Sequence, residues 1–473
     1  MHEGSPLNPR MKQIFVIVFL GSLIGAVVWQ WVVDAPEQRK FDEEDQKRQM
    51  NSVPRNAAEI AQGWNVTWGG IEREECGAVA YAPDNTVYLS GMTCSYGVGN
   101  GDMLLVKYAL DGTQLWNRTM GSTAPDGAYE VVADKESNAY ICGPITSGLN
   151  QGVIAKYAPN GTQLWNYSWG GTDWERLYHI IFDNEGNVYT TGFTVSYGAG
   201  GFDQVILKFS STGEFQWYKT WGTSKYEEGY DLAFDALGNA FICGVQASTA
   251  NSVGDAYLVK FDSNWVEQWR RMWGGSAQDW GYAIEIDSSG NPYLIGTTAS
   301  YGAGDTDVFI AKYDTNGVLQ WERTWGGSNA DSAYLFTLIA NDTLFIPGTT
   351  ESYGAGKADA CILVYNTRGE LSGHLTWGST GDDEGRGIAL DPQKNLYLSL
   401  TTTSWGAGGS DACLAFLPHD SIINDTDFRF EIGMVIIIVA IVAGIIIIWW
   451  MIKSRNGPNT PKPGGFPEIE FNT

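Results

Sequence analysis

The chain has 473 residues, among them 58 Gly, 20 Trp and 23 Tyr, and a net charge of −25. Such an acid excess excludes nucleic acid as a partner, because phosphates demand clustered Lys and Arg, and it disfavours docking of the folded domain on anionic lipid. The six Cys form no C-x-x-C pair, and the four His (His2, His179, His374, His419) stand at no zinc-ligand spacing. The His read as ordinary surface or loop residues, and no resident cofactor is expected.

In chain order, residues 1–13 read as a cytoplasmic N-terminus and residues 14–33 as an apolar run long enough to cross a bilayer. Arg10 and Lys12 precede it, Trp29 and Trp31 sit near its end, and no small-x-small cleavage site follows. It therefore reads as an anchor or uncleaved signal. Residues 34–57 are a charged linker.

From there a Trp-Gly step recurs at Trp68, Trp169, Trp221, Trp273, Trp325 and Trp377, with Met120 in the equivalent place, at intervals of 52, 49, 52, 52, 52 and 52 residues. Four residues before each start lies another Trp (Trp64, Trp116, Trp165, Trp217, Trp269, Trp321), with Gly373 the exception. Gly281 to Ile286 alternates as a half-buried strand, followed by the turn Asp287 to Asn291 and a second strand from Tyr293 to Thr298. The loop Ser300 to Gly304, a third strand from Asp307 to Tyr313, the turn Asp314 to Gly317 and a fourth strand from Leu319 to Trp325 complete the unit. Four short strands per period predict an all-β fold, a seven-bladed β-propeller of four-stranded blades over residues 58–420. No 3.6-residue period supports a helical solenoid. The seventh unit lacks a fourth strand after Phe416, whereas Ile60 to Thr67 reads as an orphan fourth strand carrying Trp64. The N-terminal strand is thus expected to complete the last blade and remove an open edge.

Residues 421–431 are a second linker and residues 432–452 a second apolar run, so two transmembrane helices are expected to flank the propeller, with 453–473 as a cytoplasmic tail. Trp449 and Trp450 lie near the end of the run, and Lys453 and Arg455 follow it. The positive-inside bias places both termini in the cytoplasm and the propeller outside the cell. Six N-x-S/T sequons (Asn65, Asn117, Asn160, Asn166, Asn341, Asn424) all fall between the two runs and are glycosylation candidates.

The blocks Trp273-Gly-Gly, Asp279-x-Gly-Tyr-Ala, Asp287-Ser-Ser-Gly-Asn-x-Tyr293, Ser300-Tyr-Gly-Ala-Gly304, Asp307-x-x-x-x-Lys-Tyr313 and Leu319-Gln-Trp321 together resemble the SBBP-type β-propeller repeat. The likeness covers roughly residues 60–418. It implies a propeller of the kind found in secreted and surface proteins of bacteria and archaea, and it implies no shared catalytic residues. A weaker likeness to quinoprotein-type propellers rests on Leu110-Asp-Gly-Thr-Gln-Leu-Trp116; those have eight blades, which seven units do not match.

The connections after the second and fourth strands open on one face, and the two tight turns open on the other. The chain enters and leaves on the turn face, so the loops are expected to point away from the membrane. Two acids recur beside the loops. One stands six residues after each unit start (Glu74, Asp126, Glu175, Glu227, Asp279, Asp331, Asp383) and one at the head of the third strand (Asp102, Asp203, Asp255, Asp307, Asp359, Asp411), where Gln151 replaces it in the second blade. On the structural reading these carboxylates accept loop N–H groups. On the functional reading they form a ring for Ca²⁺ or a cationic partner. An aromatic residue occupies the same loop in five blades (Tyr96, Tyr197, Tyr301, Tyr353, Trp405). It either packs on its own loop or stacks on a sugar ring beside the acids. Cys142, Cys243, Cys361 and Cys413 fall on strand positions that predict buried thiols. Cys76 and Cys94 lie at the loop end of adjacent strands, where a disulfide is expected in an exterior compartment.

No G-x-S-x-G, H-E-x-x-H or Walker motif is present. Departures from the repeat read as losses of functional groups, which favours a recognition or adhesion module with a surface glycan or protein as partner over an enzyme. The alternatives are a structural envelope component and a quinoprotein-like or hydrolytic propeller enzyme.

Overall fold

The computed structural model describes residues 63–419, except 147, 149, 248–252, 336 and 341. The runs 14–33 and 432–452, both linkers, both tails and the sequons Asn341 and Asn424 lie outside the described residues. Among those described, no helix is long and apolar enough to cross a membrane.

Seven antiparallel sheets carry the repeat, each with its strands in the order first to fourth. Blades one to six begin at Glu74, Glu130, Glu175, Tyr226, Asp279 and Asp331, and blade seven spans Asp383 to Leu417. The fourth strand of blade seven is the N-terminal strand Trp64–Trp68, which pairs with Asp411–Leu417 from Trp64↔Phe416 to Trp68↔Ala412. Trp64 stacks on Phe416 at 5.4 Å, and Trp68, Val79, Leu104, Tyr397 and Leu414 share one core across the seam between blades seven and one. The ring is closed by its two chain ends, as the orphan strand predicts.

The strands differ in burial because they differ in radial position. Second and third strands lie between neighbouring blades, so Val188–Thr194 is buried at every residue. Fourth strands lie outermost, and Glu267–Trp273 alternates half-buried and exposed until its last Trp. The unit-start Trp are packing residues: Trp68, Trp169, Trp273, Trp325 and Trp377 are all buried. Each removes about 200 Å² from water, on the order of 5 kcal/mol before conformational entropy.

The recurrent Lys near the end of the third strand and the fourth-strand Trp beside it stitch blades together. Lys260 Nζ and Trp269 Nε1 both donate to Thr315 O in the next blade's turn, at 3.1 and 3.2 Å. Lys312 and Trp321 do the same to Thr367 O, and Lys107 and Trp116 to Pro159 O. Of the sequons, Asn65, Asn160 and Asn166 are exposed and Asn117 is half-buried.

The expected Cys76–Cys94 bond is not formed. Cys76 lies opposite Gly91, whereas Cys94 N donates to Arg73 O, three residues further down the ladder. At about 3.3 Å per residue that offset exceeds what a disulfide spans. Cys76 Sγ instead faces Cys413 O and Cys94 Sγ faces Asn100 O. Cys142, Cys243, Cys361 and Cys413 are buried as expected.

Candidate functional site

The two repeated acids hold the loops. Asp102 Oδ2 accepts Val98 N and Gly99 N at 2.9 and 3.1 Å. Asp203 accepts Ala199 N and Gly200 N, Asp411 accepts Ala407 N and Gly408 N, Asp307 accepts Gly304 N, and Asp359 accepts Gly356 N. Asp255 heads the loop whose residues 248–252 are not described. The first-strand acid ties the Trp-Gly-Gly step to the same loop: Glu74 accepts Gly70 N, Ser95 N and Thr93 Oγ1. Across six of the seven blade boundaries the two acids face each other, the exception being that between blades two and three, where Gln151 leaves Glu175 without a facing acid. Asp102 Oδ1 and Asp126 Oδ2 both lie within 3.0 Å of the point where a Cβ on Gly121 would stand. Burial first, and the facing acid as well, pushes Asp255 and Asp359 up and Asp307 to about 6. The remaining oxygens are too few for Ca²⁺, which takes six to eight, and no group of three or more His, Cys, Asp or Glu among the described residues is placed to hold a metal.

The loop aromatics lean on the unit-start Trp. Tyr96 packs on Trp68 and Tyr197 on Trp169, each at 5.1 Å, Tyr301 on Trp273 at 5.4 Å, and Tyr353 on Trp325 at 5.2 Å. The hydroxyl of Tyr301 donates to Gly274 O at 2.9 Å, and Tyr353 makes the equivalent bond to Gly326 O. Trp405 packs on the core of blades six and seven. Tyr96 and Tyr197 remain 50% and 38% exposed, more than Tyr301 and Tyr353, which are half-buried.

A second aromatic ring lines the central channel. First strands bulge at Tyr178, Tyr230 and Tyr282, and blade seven bulges at Arg386. A bulge inserts one unpaired residue and re-aims the side chains around it. Tyr129, Tyr178, Tyr230 and Tyr282 follow one another in contact at 5.4, 5.3 and 5.2 Å. The Arg386 guanidinium lies 4.5 Å over the Tyr334 ring. Burial, then the Glu228 carboxylate, pushes the Tyr178 and Tyr230 phenols well above their ordinary range. Burial alone would lower Arg176, but Tyr129, Tyr178 and Glu228 hold it above its usual value.

Toward the turn face, first-strand residues of all seven blades enclose a cavity of ≈ 320 Å³ with mostly aliphatic walls. Here the repeat gains groups. Ten residues after the unit start, blades two, three and four carry Glu130, His179 and Asp231, where blades one, five, six and seven carry Ala78, Ala283, Leu335 and Gly387. His179 Nε2 stands 3.4 Å from Glu130 Oε1, and Nδ1 stands 3.1 Å from Asp231 Oδ1. Glu130 also accepts Ile180 N, and Asp231 Oδ2 accepts Ile284 N at 2.7 Å. Each acid therefore caps an N–H on the inner edge of the next blade. Burial pushes both carboxyls up and the imidazole down. His179 is thus no surface residue. His374 is also buried, packed against Trp325 and Tyr353.

On the loop face the second blade departs most. Its second and third strands, Ala139–Thr146 and Asn150–Tyr157, are joined by residues 147–149, without the Tyr-Gly-Ala-Gly loop. A cavity of ≈ 230 Å³ opens there, lined by Glu75 and Met92 of blade one, Tyr129 and Asn150 of blade two, and Trp174 and Arg176 of blade three. Trp174 is 51% exposed. Trp174 and the cavity carry no repeat signature, so counting constant positions does not find them.

No protein-family model matches the chain. A curated relative, the regulatory protein FlaEY of Caulobacter vibrioides, is 22% identical over an alignment of 178 residues that covers 32% of this chain and 18% of that protein's length. Among solved structures, the Pan2 WD40 domain of Neurospora crassa aligns at 10% identity with a TM-score of 0.46, covering 73% of this chain and 90% of that one. An ulvan-degrading polysaccharide lyase aligns at 11% identity and a TM-score of 0.49, covering 73% and 95%. Such likeness concerns the fold and says nothing of ligand or chemistry.

Proposed function

We propose that the chain is a recognition module, anchored in the cell membrane by residues 14–33 and 432–452, whose propeller binds a glycan on its loop face outside the cell. The observation that carries this reading is the cavity at the second blade. An exposed indole (Trp174) and a phenol (Tyr129) suit the C–H face of a pyranose, while Glu75, Asn150 and Arg176 suit its hydroxyls. The resemblance to the SBBP-type repeat agrees with a surface location. Binding is favoured over hydrolysis because both nitrogens of His179 face carboxyls, whose other oxygens hold backbone N–H groups.

A glycan array probed with the purified chain, followed by titration calorimetry, tests this. Trp174→Ala is expected to weaken binding at least tenfold, with Tyr301→Ala and Tyr353→Ala unchanged. Glycan binding that survives Trp174→Ala intact moves the site elsewhere, and an array with no hit defeats the glycan reading.

A further inference from the structure

The six turns joining third to fourth strands each hold one residue in the left-handed region. Five are Gly112, Gly161, Gly213, Gly317 and Gly369, at φ between 75° and 88°; the sixth, in blade four, is Trp265 at φ 61°. A bulky residue at positive φ is strained and persists only where its surroundings hold it. At other junctions the turn Gly lies flat on the preceding blade's fourth-strand Trp: a Cβ on Gly317 would stand 2.9 Å from Trp269, and one on Gly369 2.9 Å from Trp321. Between blades three and four, Trp265 instead meets Trp217 edge-on at 5.2 Å and packs on Tyr189 at 5.8 Å. The junction opens on the turn face into a groove of ≈ 490 Å³, lined by Phe182, Tyr189, Phe234, Leu237 and Trp265. Leu237 tips the neighbouring turn and is 83% exposed. Other blades place Asp84, Glu136, Glu185, Ser289 and Gln393 there.

We propose that this groove seats the propeller on the bilayer surface, with Trp265 and Leu237 entering the interfacial zone of a zwitterionic membrane. The proposal rests on the reading that residues 432–452 span a membrane. Blade seven ends at Leu417 on the turn face, and residues 418–431 reach at most about 50 Å before that run begins. Trp64, where the ring begins, lies on the same face, so the chain leaves toward both apolar runs from the face that carries the groove. Trp is favoured at the membrane–water interface, and an exposed Leu beside it adds apolar area where lipid can cover it. Asp183, Glu185 and Asp235 outnumber Lys208 in the groove lining, and this acid excess disfavours anionic headgroups.

The full chain in phosphatidylcholine nanodiscs tests the proposal. Leu237→Cys, in a Cys94→Ser background because the other five Cys are buried, carries an environment-sensitive fluorophore. Val98→Cys, 73% exposed on a loop, carries the same probe as a control. Doxyl-labelled lipid is expected to quench the probe on Leu237→Cys at least twofold and to leave that on Val98→Cys unchanged. An unquenched probe on Leu237→Cys, in a chain that resists carbonate extraction, overturns the docking surface alone. A chain released by carbonate overturns the membrane reading and the docking surface with it.

Discussion

Closure of the ring by the N-terminal strand predicts a specific covalent bond. Thr67 stands directly opposite Cys413 across the seam of blade seven. Directly opposed residues on antiparallel strands bring their Cβ atoms to within about 5 Å, close to disulfide geometry. Thr67→Cys, with Cys94→Ser to remove the one thiol that is not buried, is expected to oxidise to an intramolecular bond with Cys413. The bond closes a loop of about 350 residues, for which lost unfolded-state entropy gives an upper bound of about 6 kcal/mol. Engineered bonds return less, so a gain of about 3 kcal/mol and a rise of roughly 5 °C in the melting midpoint are expected. Non-reducing peptide mapping identifies the bond, and melting with and without reductant measures its effect. A Thr67→Cys chain that forms no bond to Cys413, or forms one only between two chains that exchange the strand, refutes the closure.

Three further outcomes follow from buried groups. Asp307 is raised to about 6 from 3.8 by burial and by Asp331, so its protonated form stabilises the fold below the unfolded pKa, and that stability is lost as pH rises through 6. The shift is worth about 2 kcal/mol after screening. Relative to Asp307→Asn, the wild type should gain that amount in denaturant titrations between pH 7.5 and 4.5, and a constant difference contradicts the carboxyl pairing. His179→Leu leaves the buried Glu130 and Asp231 oxygens without their polar partner and should cost about 2 kcal/mol in denaturant titrations; a neutral effect removes the bridge. Alkylation of the native chain should modify Cys94 alone, since burial pushes the Cys76 thiol to about 12, and peptide mapping that finds a Cys76–Cys94 bond contradicts the register.

The sequence discloses what the repeat keeps constant. Trp-Gly spacing, the alternating strands and the orphan Trp64 are enough to count blades and predict the seam, because blade packing asks the same of every unit. The repeated acids are legible as loop scaffolding for the same reason: Asp102, Asp203, Asp307, Asp359 and Asp411 meet equivalent loop N–H groups in five blades. What stays hidden is where blades differ. Glu130, His179 and Asp231 share one offset from the unit start, but their unlike chemistry conceals the shared position until the channel brings them together. Trp174 sits beside a loop that another blade lacks, and Trp265 replaces a Gly whose role is to let a ring pass. Cys76 and Cys94 look adjacent by strand number, yet the ladder register separates them.

The most direct test of the account is a hydrogen-exchange footprint of the chain with a saturating glycan from the array. Protection confined to residues 125–129, 144–150 and 174–176 around the second-blade cavity is predicted, with no change at the loops of Tyr301 and Tyr353. Protection spread equally over the repeated loops, with none around Trp174, contradicts it.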